Sequence, residues 1–165
     1  SNEVAIIGSN IARFIDSVDS SEVFVAGLLH DIGRVVLLTL DKERYLQIID
    51  SDELILEEID YFGLHHPAVG SDFLQRASLP DPLVYAVRYH HTPSSADKYK
   101  ETVSVVAFAE ALSRNYFPKF EDDGYWTEEH SAIMLELNLD DEKMNEIRNL
   151  SNEEVSKMAS VLSDI

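Results

Sequence analysis

Apolar residues recur at Val4, Ile7, Ile11, Phe14, Ile15 and Val18 with three-and-four spacing, which places them on one face of a helix over 4–18. Asp19-Ser20-Ser21-Glu22 offers capping side chains ahead of the run from Val23 to Leu40. That run is apolar on nearly all sides and reads as one central, buried helix. Polar positions return at Asp41, and the spacing predicts helices over 42–49 and 52–61, the second closed by Gly63 as a C-cap. His66-Pro67 opens another helix, with Ala68, Val69, Phe73 and Leu74 on its inner face and Leu79-Pro80 as its stop. Asp81-Pro82 opens the next, carrying Leu83, Val84, Ala86 and Val87 up to His90-His91 and ending before Thr92-Pro93-Ser94-Ser95. A helix over 102–116 turns Val103, Val106, Ala109 and the neighbouring Val105, Phe108 and Leu112 inward. An irregular connection from Pro118 to Trp126 leads to three helices near 127–137, 140–149 and 152–163, the last opened by a capping box of Ser151 and Glu154. No two-residue alternation, internal repeat or low-complexity tract interrupts this pattern, so the expected fold is all-α.

Composition narrows the function classes. A chain of 165 residues fits one domain with a substantial core. Its formal charge of −18 repels nucleic-acid backbones and anionic membrane surfaces. A phosphorylated small molecule stays open as a ligand, provided that a cation or a helix N-terminus supplies local positive charge. With no cysteine there is neither a disulfide framework nor thiolate chemistry, in keeping with a cytoplasmic setting. The run to Leu40 is interrupted by His30, Asp31 and Arg34 and so reads as a core helix rather than a membrane span, and no signal peptide is visible. The chain opens at Ser1-Asn2 without methionine and is helical almost at once, which reads as a fragment with upstream sequence missing.

The candidate chemistry lies in the histidines. Five of six fall in three places: His30 beside Asp31, His65-His66, and His90-His91. A carboxylate in surroundings as apolar as Val23 to Leu29 costs several kcal/mol unless something meets it. For Asp31 the candidates are a metal ion, a protonated histidine or backbone N–H groups. Imidazoles and carboxylates from different helices converge where helices cross, and His30, Asp31, His66, His90, His91 and Glu110 form a set suited to Fe, Mn, Zn or Ni. Neighbouring helical residues point about 100° apart. Each pair therefore implies two metals, a bridging ligand, or one functional and one structural member. Glu57-Glu58 and Asp140-Asp141-Glu142 read as charge on exposed helix starts, His65 as a polar neighbour of His66, His130 as part of a solvated face, and Tyr85 and Tyr89 as packing residues. No Gly-rich phosphate loop, nucleophile elbow or His-Glu-x-x-His motif is present.

Phe24-x-Ala26-Gly27-Leu28-Leu29-His30-Asp31-Ile32-Gly33, followed by Glu58, Gly63, His66-x-x-x-Gly70, Leu79-Pro80 and His90-His91, resembles the HDOD domain, a branch of the HD superfamily. The resemblance implies an HD-like helical bundle, a bacterial cytoplasmic setting and a regulatory or signal-transduction role exerted through a protein partner or neighbouring domain. Enzymatic HD relatives are metal-dependent phosphohydrolases that use a first histidine, the His-Asp pair and a later aspartate. The HD-GYP branch adds further histidines and cleaves cyclic dinucleotides. Carried over, His30 and Asp31 match the doublet, Asp31 being the catalytic candidate, and His66, His90 and His91 match the added histidines. Glu110 stands where the later aspartate is expected. The expected first histidine would fall just before Ser1, and Thr92-Pro93-Ser94-Ser95-Ala96 replaces the Gly-Tyr-Pro element, which disfavours cyclic-dinucleotide hydrolysis. An upstream helical segment is also implied.

Three expectations follow. The first is a signalling module whose His/Asp cluster is retained. The second is a phosphohydrolase holding a divalent metal (Fe, Mn, Zn, Ni or Mg) and acting on a nucleotide or other phosphoester. The third is a metal-free cluster in which protonated His30 or His90 neutralises Asp31.

Overall fold

The computed structural model describes residues 1–118 and 126–163, and for 162 and 163 the backbone alone. Every regular element among them is helical: α1 (Asn2–Ala12), α2 (Ser20–Leu29), α3 (Ile32–Leu40), α4 (Lys42–Ile48), α5 (Leu54–Phe62), α6 (His66–Arg76), α7 (Asp81–Tyr89), a 3₁₀ turn (Pro93–Ser95), α8 (Lys100–Tyr116), α9 (Glu128–Glu136) and α10 (Asp141–Ser163). The all-α expectation holds. Most of the connection expected from Pro118 to Trp126 lies outside the described residues.

The buried axis is α8, not the run to Leu40. Val103, Val105, Val106, Phe108 and Ala109 are all fully buried, and α1, α2 and α7 pack around them. Ile7, Ile11, Val23, Ala86 and Ile147 complete this core. Each large side chain so enclosed contributes on the order of 2 kcal/mol of transfer free energy. A smaller cluster of Leu37, Tyr45, Ile48 and Leu54 lies under α4 and α5.

Three predicted elements come out differently. The first helix stops at Ala12, and Phe14, Ile15 and Val18 keep their apolar face through successive three-residue turns, each N–H bonding the carbonyl three residues back. The run to Leu40 is broken at His30-Asp31 into α2 and α3. Asp31 takes φ −97° and ψ 11°, a bend rather than a helical step. The stretch from 20 to 40 is the one among the described residues long and apolar enough, by composition, to cross a membrane. The bend interrupts it, and Val25, Leu28, Val35 and Leu40 are exposed, so it is not enclosed on all sides.

Finally, the helices expected over 140–149 and 152–163 are one, because Ser151 and Glu154 have other work. Spaced three apart on one face of α10, both accept from the Asn10 amide of α1, at 3.2 Å each. With those side chains engaged across the interface, no cap forms and α10 runs on.

Two glycines shape the part that carries the site. Gly63 ends α5 in the left-handed region at φ 76°, as the C-cap expectation required. Gly33 lies where α3 crosses α6: a Cβ there would run into the His66 carbonyl, with the Gly70 amide nitrogen 2.8 Å away. Only a residue without a side chain lets these backbones meet.

Candidate metal centre

The bend between α2 and α3 brings the His-Asp pair to the face where α3, α6 and the end of α7 come together. Asp31 occupies the N-cap position of α3 but makes no capping hydrogen bond. Its carboxylate turns instead toward the imidazoles, which removes backbone N–H groups as its compensating partner. Pro67 sits in the first turn of α6 directly after His66, and His65 serves as N-cap, its Nδ1 accepting from the Ala68 N–H at 3.2 Å. Helix α7 ends at Tyr89, and His90, still at helical dihedrals of φ −60° and ψ −25°, and His91 fall in the turn beyond it.

Four side chains converge. One ligand atom each from Asp31, His66, His90 and His91 lies within 4.8 Å of all the others. The Asp31 Oδ1 to His66 Nε2 distance is 3.3 Å, Asp31 Oδ1 to His90 Nε2 is 3.9 Å, and His66 Nε2 to His91 Nε2 is 3.1 Å. Ligand atoms held tetrahedrally at about 2.1 Å from an ion sit about 3.4 Å apart. The three separations, from 3.1 to 3.9 Å, bracket that value.

The outer nitrogens are already committed. His66 Nδ1 lies 2.7 Å from Glu58 Oε2, and His90 Nδ1 lies 2.8 Å from the Val87 carbonyl. With Nδ1–H donating outward, each Nε2 presents a lone pair to the centre. Asp31 Oδ1 and His90 Nε2 are buried without a hydrogen-bond partner. Burial holds His90 well below the ordinary imidazole value and lowers His91 as well, so both stay neutral. Convergent neutral imidazoles, a carboxylate and fixed outer partners are what a first-row transition metal takes. The donor set fits such an ion.

His30 has a different role. Its Nδ1 donates to the Gly27 carbonyl at 2.7 Å, and its Nε2 lies 3.2 Å from Asp31 Oδ2. Burial alone would lower its pKa, but the hydrogen bond and charge of Asp31 outweigh that and raise it. Burial likewise works against the Asp31 anion, yet the His30 hydrogen bond and charge, with Arg34, hold its pKa well below the usual carboxylate range. His30 thus faces the opposite oxygen from the one shared by His66 and His90. Glu110 sits at the rim, Oε2 3.7 Å from His91 Nδ1 and Oε1 3.3 Å from Arg114. Neither His30 nor Glu110 is in the four-atom group.

Two sequence readings are corrected. Glu58 is fully buried, not on an exposed helix start. Its Oε1 accepts from the Tyr45 hydroxyl at 2.8 Å and its Oε2 from the His66 backbone N–H at 2.7 Å. Burial would raise its pKa, but the bonds from His66 and Tyr45 prevail and lower it. The signal was present: Glu58 falls on the same helical face as Leu54 and Phe62, four residues to either side. His130 is buried rather than solvated, and it closes a capping box with Thr127 at the start of α9. Arg34, absent from the candidate set, brings Nε to 3.0 Å from Asp31 Oδ1, without an aligned hydrogen bond.

Comparison with known proteins identifies the family and the fold. The HDOD domain family matches residues 1–93. A Treponema pallidum (strain Nichols) protein, described as uncharacterized, is 29% identical over 101 residues, covering 57% of this chain and 20% of its own length. A crystal structure from Marinobacter aquaeolei VT8, named "Putative signal transduction protein", superposes with a TM-score of 0.78 at 16% identity, over 98% of this chain and 37% of that one. A "Putative phosphohydrolase" from Shewanella amazonensis SB2B gives 0.67 at 24% identity, over 95% and 57%. An HDOD domain protein of unknown function from Geobacter sulfurreducens gives 0.63 at 24%, over 92% and 60%. The chain therefore spans less than two thirds of each of these relatives.

Proposed function

This chain belongs to the HDOD family, and on that premise we propose that it is a bacterial, cytoplasmic signal-transduction module whose Asp31, His66, His90 and His91 hold one divalent transition-metal ion. The observation that carries this reading is the convergence of one ligand atom each from Asp31, His66, His90 and His91, of which Asp31 Oδ1 and His90 Nε2 are buried without a hydrogen bond. A buried group left without its hydrogen bond costs about 1–3 kcal/mol, which a cation offsets. Three nitrogens and one oxygen favour Zn, Fe, Mn or Ni over Mg, a hard ion that takes oxygen ligands. Four protein ligands also fill a tetrahedral shell, the pattern of a structural rather than a catalytic ion. Output then passes through a protein partner or neighbouring domain.

Elemental analysis of purified wild type and Asp31→Ala, as isolated and after reconstitution, tests the reading. Near-stoichiometric metal that disappears in the variant is expected. No metal in the wild type after reconstitution would overturn it.

Arg34 favours a second reading, a phosphohydrolase acting on a nucleotide or other phosphoester. Its guanidinium stands beside Asp31 at the edge of an otherwise acidic chain and can receive an anionic phosphoryl oxygen in a charge-assisted bond. In that reading Asp31 and the three histidines hold the ion, which supplies Lewis acidity. Hydrolysis in a phosphoester screen of Mn²⁺- or Fe²⁺-loaded protein, lost in Asp31→Ala, would replace the first reading with this one.

A further inference from the structure

We propose that Glu58 is the positioning residue of the centre: by holding His66 Nδ1–H it decides whether His66 Nε2 turns a lone pair or a proton toward the other ligand atoms. The proposal rests on the metal-binding reading above.

Glu58 joins three helices. From α5 it takes the Tyr45 hydroxyl of α4 on Oε1, and on Oε2 both the backbone N–H and the Nδ1 of His66, the first residue of α6. These three donors compensate a carboxylate with no access to solvent. They also place a negative charge at the N-terminus of α6, where the helix favours it.

The consequence lies on the far side of the ring. A neutral imidazole carries one N–H. While Glu58 holds it on Nδ1, Nε2 offers a lone pair 3.3 Å from Asp31 Oδ1 and 3.1 Å from His91 Nε2. If the proton moved to Nε2, His66 would hydrogen-bond His91 Nε2 at 3.1 Å, and no lone pair of His66 would face the centre. His66 and His91 would then be tied to each other, which withdraws two of the four ligand atoms from an ion. One buried carboxylate, outside the coordinating group, separates a metal centre from an inert hydrogen-bonded cluster.

Glu58→Gln preserves the shape. Its carbonyl can still accept from His66 while its amide donates to the Tyr45 oxygen, so charge is removed with little change in packing. Two measurements are made on folded protein: Co²⁺ titration followed by visible absorption, and ¹⁵N correlation spectra of the His66 ring in metal-free protein. The wild type is expected to show the Nδ1–H form and to bind Co²⁺. Glu58→Gln should shift His66 toward the Nε2–H form and weaken Co²⁺ binding by about 10–100-fold. A purely structural Glu58 would leave the tautomer unmoved.

Unchanged tautomer and unchanged affinity in Glu58→Gln, with a wild type that binds Co²⁺, overturn the role of Glu58 alone. A wild type that takes up no Co²⁺ overturns the metal reading first. Should the variant fail to fold, the wild-type spectrum still decides, since an Nε2–H His66 in the metal-free protein contradicts the assignment.

Discussion

Replacing Gly33 by alanine tests how the helix crossing sets the centre. A Cβ at this position would meet the His66 carbonyl, with the carbonyl carbon at 2.7 Å and the Gly70 amide nitrogen at 2.8 Å, all of them backbone atoms that no rotamer change can clear. Carbon atoms rest at about 3.5 Å or more. The two helices must therefore part by on the order of 1 Å. Asp31 lies two residues before Gly33 on one side of the crossing, and His66 is itself the clashing residue on the other, so the parting opens the 3.3 Å contact between Asp31 Oδ1 and His66 Nε2. Metal sites tolerate about 0.2 Å.

Overpacking of this kind costs about 1–3 kcal/mol, offset in part by the roughly 1 kcal/mol that alanine gains over glycine in a helix. Gly33→Ala should therefore remain largely folded while its metal affinity falls by about 10–100-fold. Gly70→Ala should do less, because its contacts at 3.0 Å and 3.2 Å include movable side-chain atoms of Val87 and Ile32. Gly63→Ala meets nothing within 4 Å, and its φ of 76° costs about 1–2 kcal/mol of strain without touching the centre. Urea unfolding and calorimetric Zn²⁺ titration of the three variants separate the effects. Gly33→Ala binding as tightly as wild type, or Gly63→Ala losing as much as Gly33→Ala, would refute the reasoning.

Two further outcomes are expected. In chelator, acidification from pH 7.5 to 5.5 should lower the melting temperature. Burial depresses the pKa of His90, His91, His65 and His130, so the unfolded chain, titrating near 6.5, binds more protons and stability is lost as pH falls through that value. His30 works the other way. Its raised pKa gives a contribution that is complete below 6.5 and lost as pH rises through the folded value, and Asp31 holds its own above 3.8. A melting temperature that is flat or rises on acidification would contradict this balance. Separately, Asn10→Ala should lower urea stability by about 1–2 kcal/mol, since it removes the amide that ties α1 to Ser151 and Glu154 of α10. Stability unchanged within error would show that this link contributes nothing.

Helix periodicity alone determined the all-α class and the inner faces of α1, α7 and α8, because burial of an amphipathic helix is written locally at three-and-four spacing, whereas on α6 Phe73, expected on the inner face, is exposed. The left-handed cap at Gly63 and the proline-led starts of α6 and α7 were legible for the same reason, since each is a property of one or two residues. The identity of the centre was half legible. Residue type alone named six candidates, His30, Asp31, His66, His90, His91 and Glu110, because those side chains are costly to bury without a partner, but it could not separate the four that converge from His30 and Glu110.

What they meet, and in which orientation, depended on contacts between distant segments. His30 and Asp31 divide their roles because the chain bends between α2 and α3, and His90 and His91 both reach the centre from the turn that follows α7. Ser151 and Glu154 spell a cap in sequence but spend their side chains on Asn10, 141 and 144 positions away. Glu58 is an ordinary surface-type residue until α4 and α6 close over it, and its position on the Leu54–Phe62 face was the only local sign. Local spacing fixes which face a residue occupies. Only the packing of one helix on another decides what that face touches, and the chemistry of this site is set by those touches.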